Sequence, residues 1–251
     1  MRGNVAAVVP AAGAGSRLGA SVSKPFVPLA GVPLLAHALK ALQASPSIGW
    51  IVLVVREGER SRAQALLKRH RITKALPPCR GGSSRAESVA RGFAAVPPEA
   101  GWVLVHDGAR PCVRPRLIEQ SVRAAKRHGA VACGLPASLT VKTADARGRE
   151  RSTLDRERLW FVQTPQVFRR EWFAASLGRA CLPCRSGVGG ARRRQVNGRL
   201  QRFPDDAAVV ESAGFSVRMI PGDPLNLKVT TREDLLFAEA VFRRRRNGSH
   251  T

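Results

Sequence analysis

The alternation of short β-branched runs with longer segments whose apolar residues recur at helical spacing constrains this 251-residue chain more than any other feature. The runs "NVAAVVP" (Asn4–Pro10), "WIVLVV" (Trp50–Val55), "WVLVHD" (Trp102–Asp107), "AVACGLP" (Ala130–Pro136) and "SVRMIP" (Ser216–Pro221) have the length and hydrophobicity of strands buried on both faces. Between them, Pro33–Ala44, Glu59–Arg69, Arg85–Val96, Pro115–His128 and Arg232–Arg244 read as helices. The pattern predicts an α/β three-layer sandwich, a mostly parallel Rossmann-like sheet with helices on both faces, in a single domain over 1–251. Ser138–Trp160 breaks the rhythm with polar alternation around the turn "ADARGRE". It reads as a hairpin arm over about 138–160 that cannot bury itself; it either packs on a partner subunit or is an ordinary surface excursion.

Open α/β sheets bind ligands at the carboxyl ends of their strands, which puts "PAAGAGSRLG" (Pro10–Gly19) at a site. Gly13 and Gly15 remove side chains where a backbone would approach phosphate. No Gly-Lys-Ser/Thr follows, so this is not a Walker loop. Gly13, Gly15 and Gly19 are spaced GxGxxxG with no acid about twenty residues on, so it is not a dinucleotide fingerprint either. What remains is a glycine loop followed by Arg17 and Lys24, in a stretch whose first carboxylate is Glu57. Fixed cations of this kind suit phosphoryl or nucleotidyl transfer, where charge develops on phosphate oxygens. In "VLVHDGARP" (Val103–Pro111), Asp107 ends an apolar strand, where a Mg²⁺ ligand would sit; a plain turn or capping aspartate is the competing reading. Arg110 could hold a second phosphate. His106 reads as structural, because a phosphate nucleophile is already ionised.

Charge decides which other classes stay open. The chain has 42 Lys+Arg against 18 Asp+Glu, a net charge of +24. The acid-free stretch Cys181–Pro204 and the tail from Arg243 carry ten arginines between them, without hydrophobic periodicity. They read as a solvated loop and tail. A nucleic-acid-binding protein is the rival from another class, but no tyrosine is present and no aromatic-interleaved basic face is evident, so nucleic acid is disfavoured as a partner. Five scattered cysteines suit a reducing compartment, and the lone CxxC at Cys181 and Cys184 has no nearby histidine to complete a zinc site. No apolar run reaches the ~18–20 residues of a membrane helix. These features predict a soluble, untargeted, cytoplasmic protein with no membrane partner.

The stretches "VVPAAGAGSRLG" with Lys24, "GGSSRAESV" (Gly81–Val89), "VLVHDGARP", "TVK" (Thr140–Lys142), "QTPQVF" (Gln163–Phe168), "DDAAVVE" (Asp205–Glu211) and "GDPLNLKVTTREDL" (Gly222–Leu235) follow in one order. From about Val5 to Ala240 the chain resembles the 2-C-methyl-D-erythritol 4-phosphate cytidylyltransferase family of the non-mevalonate isoprenoid pathway. The resemblance implies CTP and methylerythritol phosphate as substrates, with Pro10, Ala11, Ala12, Gly13 and Gly15 around the CTP phosphates and ribose. It implies Arg17 and Lys24 as transition-state stabilisers, and Gly82, Ser83 and Ser88 as the cytosine reader, where a serine-capped helix start is equally expected. Asp107 would bind Mg²⁺. Arg110, Thr140, Arg156 and Lys228 would hold and aim methylerythritol phosphate beside Thr164, with Thr140 and Arg156 acting across a homodimer interface made by the arm.

The sequence departs from the family at "SKPF", where relatives usually have proline before the lysine. It departs again at Pro204, in place of a threonine, and in the length and basicity of Cys181–Pro204. Another polyol-phosphate nucleotidyltransferase, such as one acting on ribitol 5-phosphate, is the rival within enzymes.

Overall fold

In chain order the elements are β1 (Val5–Pro10), the short β2 (Pro28–Leu29) and β3 (Val32–Pro33), α1 (Leu34–Ala44), β4 (Ile48–Val55), α2 (Arg60–Arg69), β5 (Cys79–Arg80) and α3 (Arg85–Ala94). There follow β6 (Trp102–Val105), α4 (Pro115–His128), β7 (Ala130–Pro136), β8 (Val141–Ala144), β9 (Glu150–Leu154), β10 (Trp160–Arg169), α5 (Arg170–Cys181), α6 (Asp206–Ser212), β11 (Arg218–Pro221) and α7 (Arg232–Asn247). This computed structural model describes residues 3–13, 23–181, 200 and 203–247. Gly15, Arg17, Cys184 and most of the arginine-rich stretch lie outside the described residues.

Among the described residues the main sheet has seven strands in the order β11-β7-β10-β6-β1-β4-β5. β1 pairs in parallel with β4 on one side and β6 on the other. Strand alternation sorts its side chains: Val5, Ala7 and Val9 join the core under α1, α2 and α4, while Ala6 and Val8 join the core under α3, α5 and α6. The expected three-layer sandwich and its five strands are therefore present. The chain leaves β1 toward β4 and leaves β6 toward β7, in opposite directions across the sheet, so a crevice opens at the carboxyl ends of β1 and β6. Gly92 lets α3 press onto that sheet, because a Cβ there would lie 2.6 Å from Val8 Cγ1 and 2.7 Å from Val54 Cγ2.

The sequence pattern predicts no strand over 160–169, yet β10 lies antiparallel between β6 and β7. Gln163, Thr164, Pro165 and Gln166 interrupt its apolar run, and an internal proline argues against a central strand. The sheet tolerates the proline because the β7 register jumps from Val162 to Gln166, bulging the intervening residues out of the ladder. α5 and α6 were also unanticipated, α6 being only 7 residues long. The arm is present as expected: β8 and β9 pair antiparallel with Val141 opposite Leu154, on a two-stranded sheet of their own. Among the described residues no helix is long and apolar enough to cross a membrane.

Candidate functional site

The loop after β1 and the turn after β6 meet over the crevice. Ala11 N–H donates to Val54 O (2.7 Å) and Gly108 N–H to Pro10 O (3.3 Å), which seats both loops against the strand ends. A cleft of about 480 Å³ opens above them, lined by Pro10, Ala11, Ala12 and Gly13 from the first loop and Asp107 from the second. Gly82, Ser83, Ser88, Lys24 and Lys228 complete the expected residues on its wall. Among the described residues, a Cβ on Gly13 would meet no atom within 4 Å, and Gly13 lines the cleft. Gly81 is the opposite case: its Cβ would lie 2.4 Å from Ala12 Cβ, so only glycine lets the β5–α3 loop approach the β1 loop this closely.

Local sequence explains how each wall forms. Ser84 caps α3 by accepting from Glu87 N–H (3.1 Å), while the Glu87 carboxylate reaches back to Ser83 N–H and Oγ, both at 2.7 Å. Ser88 Oγ accepts from Gly82 N–H (3.0 Å) and donates to Ser84 O (2.8 Å). These contacts cap the helix and hold Gly82, Ser83 and Ser88 on the cleft wall. Lys24 opens a short 3₁₀ turn (Lys24–Phe26) pinned by buried Phe26, whose ring lies 4.2 Å from the Arg62 guanidinium. Ser23, at the departure before this lysine, accepts from Arg56 Nη2 at 2.8 Å, so its hydroxyl supplies an anchor that proline could not.

The charged centre is a chain that sequence reasoning grasped only in part. Asp107 Oδ1 accepts from Arg85 Nε (2.9 Å) and Oδ2 from Lys228 Nζ (2.8 Å), while Arg85 Nη2 reaches Asp206 Oδ2 (2.8 Å). Burial works to raise the Asp107 pKa, but Arg85 and Lys228 overcome it and hold the carboxyl well below the usual range. Burial raises the Asp206 pKa despite Arg85. Arg85 and Asp206 were not among the expected site residues. Their 121-residue separation leaves no spacing signal, although each sits inside a motif that was noticed.

This arrangement does not fit a magnesium ion on Asp107. Both carboxylate oxygens already face cations, Arg110 adds a further positive charge nearby, and no cluster of three or more metal-type ligands occurs among the described residues. A metal ion at Asp107 would have to displace Arg85 or Lys228 from a carboxylate oxygen.

Behind Asp107 the floor is a closed hydrogen-bond relay. Asp107 N–H donates to Thr164 Oγ1 (3.1 Å), and the Thr164 hydroxyl is 3.1 Å from His106 Nδ1. His106 Nε2 lies 3.2 Å from Arg110 O, and because a carbonyl only accepts, Nε2 carries the proton and Nδ1 accepts from Thr164. Burial lowers the His106 pKa to about 4, so the ring is neutral and structural, as the sequence suggested. Thr164 is 4% exposed and stands behind Asp107 rather than on the cleft wall. The Arg110 fork, expected to grip phosphate, is likewise buried and turned onto Asn226 O (2.8 Å) and Val162 O (3.5 Å). Asn226, missed from sequence, donates through Nδ2 to Thr164 O (2.8 Å) and so clamps the Lys228 loop to β10. Thr140 and Arg156 are exposed on the arm and do not line this cleft.

Comparison with known proteins gives these residues a context. Residues 5–244 match the 2-C-methyl-D-erythritol 4-phosphate cytidylyltransferase family. The chain belongs to that family. A cytidylyltransferase of this name from Desulforamulus reducens is 39% identical over 244 residues, covering 97% of each chain. One from Geobacillus kaustophilus is 40% identical, covering 95% of this chain and 97% of the relative. The crystal structure of the Thermus thermophilus cytidylyltransferase superposes with a TM-score of 0.71 at 28% identity, covering 97% of this chain and all (100%) of that one. Members of this cytidylyltransferase family thus share the sheet architecture with this chain over nearly its whole length.

Proposed function

We infer that the cleft binds CTP and carries out the transfer for which its family is named. The 4-phosphate of 2-C-methyl-D-erythritol attacks the α-phosphorus of CTP. An oxygen–phosphorus bond forms there as the bond to the β-phosphate bridge breaks, giving 4-diphosphocytidyl-2-C-methyl-D-erythritol and pyrophosphate for isoprenoid precursor synthesis. The observation that supports this most directly is the convergence of a side-chain-poor strand-end loop with Lys24, Arg85 and Lys228 on one cleft.

In this reading Pro10–Gly13, with Gly15, cradle the triphosphate and ribose, and Gly82, Ser83 and Ser88 read the cytosine. Arg17 and Lys24 stabilise charge that builds on phosphate oxygens as the bonds exchange. Lys228 aims the attacking phosphate, with Arg110 and Thr164 shaping the floor behind it. Thr140 and Arg156 come from the arm of a second copy, which also covers the apolar side chains left bare here: Leu139 is 73% exposed and Phe161 52%. The reaction needs little covalent work from the protein, so positioning and fixed charge carry it.

The magnesium requirement implied by the resemblance is assigned to the triphosphate's own oxygens rather than to Asp107. Chelation that abolishes turnover while the CTP-free protein keeps its melting temperature fits this, and a magnesium-dependent rise in that temperature without CTP contradicts it. A reducing, cytoplasmic setting is part of the same reading, since Cys79, Cys112 and Cys133 are all free thiols.

The test is pyrophosphate release from CTP with methylerythritol phosphate and, in parallel, ribitol 5-phosphate. Preference for the first is expected, with Arg17→Ala and Lys24→Ala each cutting turnover at least about a hundredfold while the fold is kept. Near-normal turnover in both variants rejects the assignments.

A further inference from the structure

We propose that Arg85 and Asp206 are positioning residues for the transfer: Asp206 holds the Arg85 fork, and Arg85 in turn holds Asp107, and through it Lys228, at the cleft. This rests on the cytidylyl-transfer reading of the site. Asp206, Arg85, Asp107 and Lys228 come from α6, α3, the turn after β6 and the loop before α7, and they alternate in charge through contacts of 2.8, 2.9 and 2.8 Å. Arg85 and Lys228 line the cleft, whereas Asp206 does not. Asp206 is 3% exposed, so whatever it does for the reaction passes through Arg85.

Two observations separate this role from a plain tie between helices. The start of α6 is already anchored to β10 without Asp206, because Gln166 Nε2 donates to Asp205 Oδ2 (3.0 Å) and Gln166 Oε1 accepts from Ala207 N–H (2.9 Å). Asp205 also caps the helix by accepting from Ala208 N–H (2.8 Å). Moreover, a buried carboxylate facing a guanidinium is a poor source of stability compared with apolar packing, since desolvation offsets most of the attraction. What the pair does supply is direction. A guanidinium is planar with fixed donor vectors, so with Nη2 held by Asp206 its Nε can meet Asp107 from one angle only. Asp107 then offers its other oxygen to Lys228. Without Asp206 the Arg85 side chain, 31% exposed at the cleft, is free to turn outward.

The experiment uses the full chain and steady-state pyrophosphate release, with thermal melts as a folding control, on Asp206→Asn, Arg85→Met and the double variant. Asp206→Asn is expected to lower kcat ten- to a hundredfold, with KM for CTP within threefold of the parent, and to cost nothing further once Arg85 is Met. A kcat within twofold of the parent overturns the proposal. So does an Asp206→Asn effect in the Arg85→Met background as large as in the parent. Should Asp206→Asn alone fail to melt cooperatively, the double variant decides, having no charge left unpaired by the change. A kcat down at least tenfold and equal to that of Arg85→Met alone supports the proposal, and a parental kcat, or one well below that of Arg85→Met, overturns it. A parent chain that is inactive with both substrates instead sinks the cytidylyl-transfer reading, and this proposal with it.

Discussion

Acidification should destabilise this protein through His106. The ring is fully buried, donates from Nε2 to Arg110 O and accepts from Thr164 at Nδ1, so a second proton at Nδ1 would have to turn the Thr164 hydroxyl hydrogen away and place a charge out of reach of water. Burial is the main cause of its lowered pKa; Arg110 and Arg85 add to it, and Asp107 opposes them. With an ordinary value of 6.5 and a folded value of about 4, the unfolded chain binds a proton across this window that the folded chain refuses. Stability is therefore complete above pH 6.5 and is lost as pH falls toward 4. The linkage amounts to about 2 kcal/mol by pH 5 and roughly 3 kcal/mol once pH passes below 4. His37 and His70 are lowered too, so the total slope is shared. Urea unfolding at pH 7.5 and pH 5 of the parent and of His106→Gln isolates the buried ring. The variant should be less stable at pH 7.5 yet lose about 2 kcal/mol less on acidification. An equal loss in both proteins would refute the argument that this ring is held neutral.

The two glycines of the cleft should respond oppositely. Gly13→Ala should leave stability within about 0.5 kcal/mol of the parent while weakening CTP binding in calorimetry, because among the described residues its new methyl group meets no atom and faces the cleft. Gly81→Ala should destabilise by roughly 1–3 kcal/mol and also raise KM for CTP, because its Cβ collides with Ala12. Phe173→Ala removes a ring stacked 5.1 Å from Phe168 and edge-on to Phe93 at 5.3 Å, and should cost about 3–5 kcal/mol in urea unfolding without changing KM. Leu139→Asp combined with Phe161→Asp should shift sedimentation from dimer to monomer and lower turnover; a monomeric parent would end the dimer proposal.

Much of the site was readable because its parts are local. A strand that ends in glycine, a serine before a helix, or an aspartate after an apolar run announces itself within a few residues, and the sheet then delivers those strand ends to one edge. The contacts missed were those made between distant segments. Thr164 was expected on the pocket wall; it is buried against His106 and Asp107 within the register jump that only the pairing of β10 with β7 creates. Arg110 was read as a phosphate clamp from its planar fork and from the family resemblance, whereas in the structure the carbonyls of Asn226 and Val162, brought by other elements, face that fork. Asp107 suggested a metal because nothing within its own motif reveals that Arg85 and Lys228 will occupy both oxygens.

By itself, then, the sequence determined the alternating order of strands and helices, the strand edge at which a ligand would sit and the residue types waiting there, because periodicity and turn chemistry act over a few residues. Only the tertiary structure decided that β10 runs against its neighbours, and that the carboxylate at 107 meets Arg85 and Lys228. It did so because charge pairing depends on distance through space, and 121 residues of chain lie between Arg85 and Asp206.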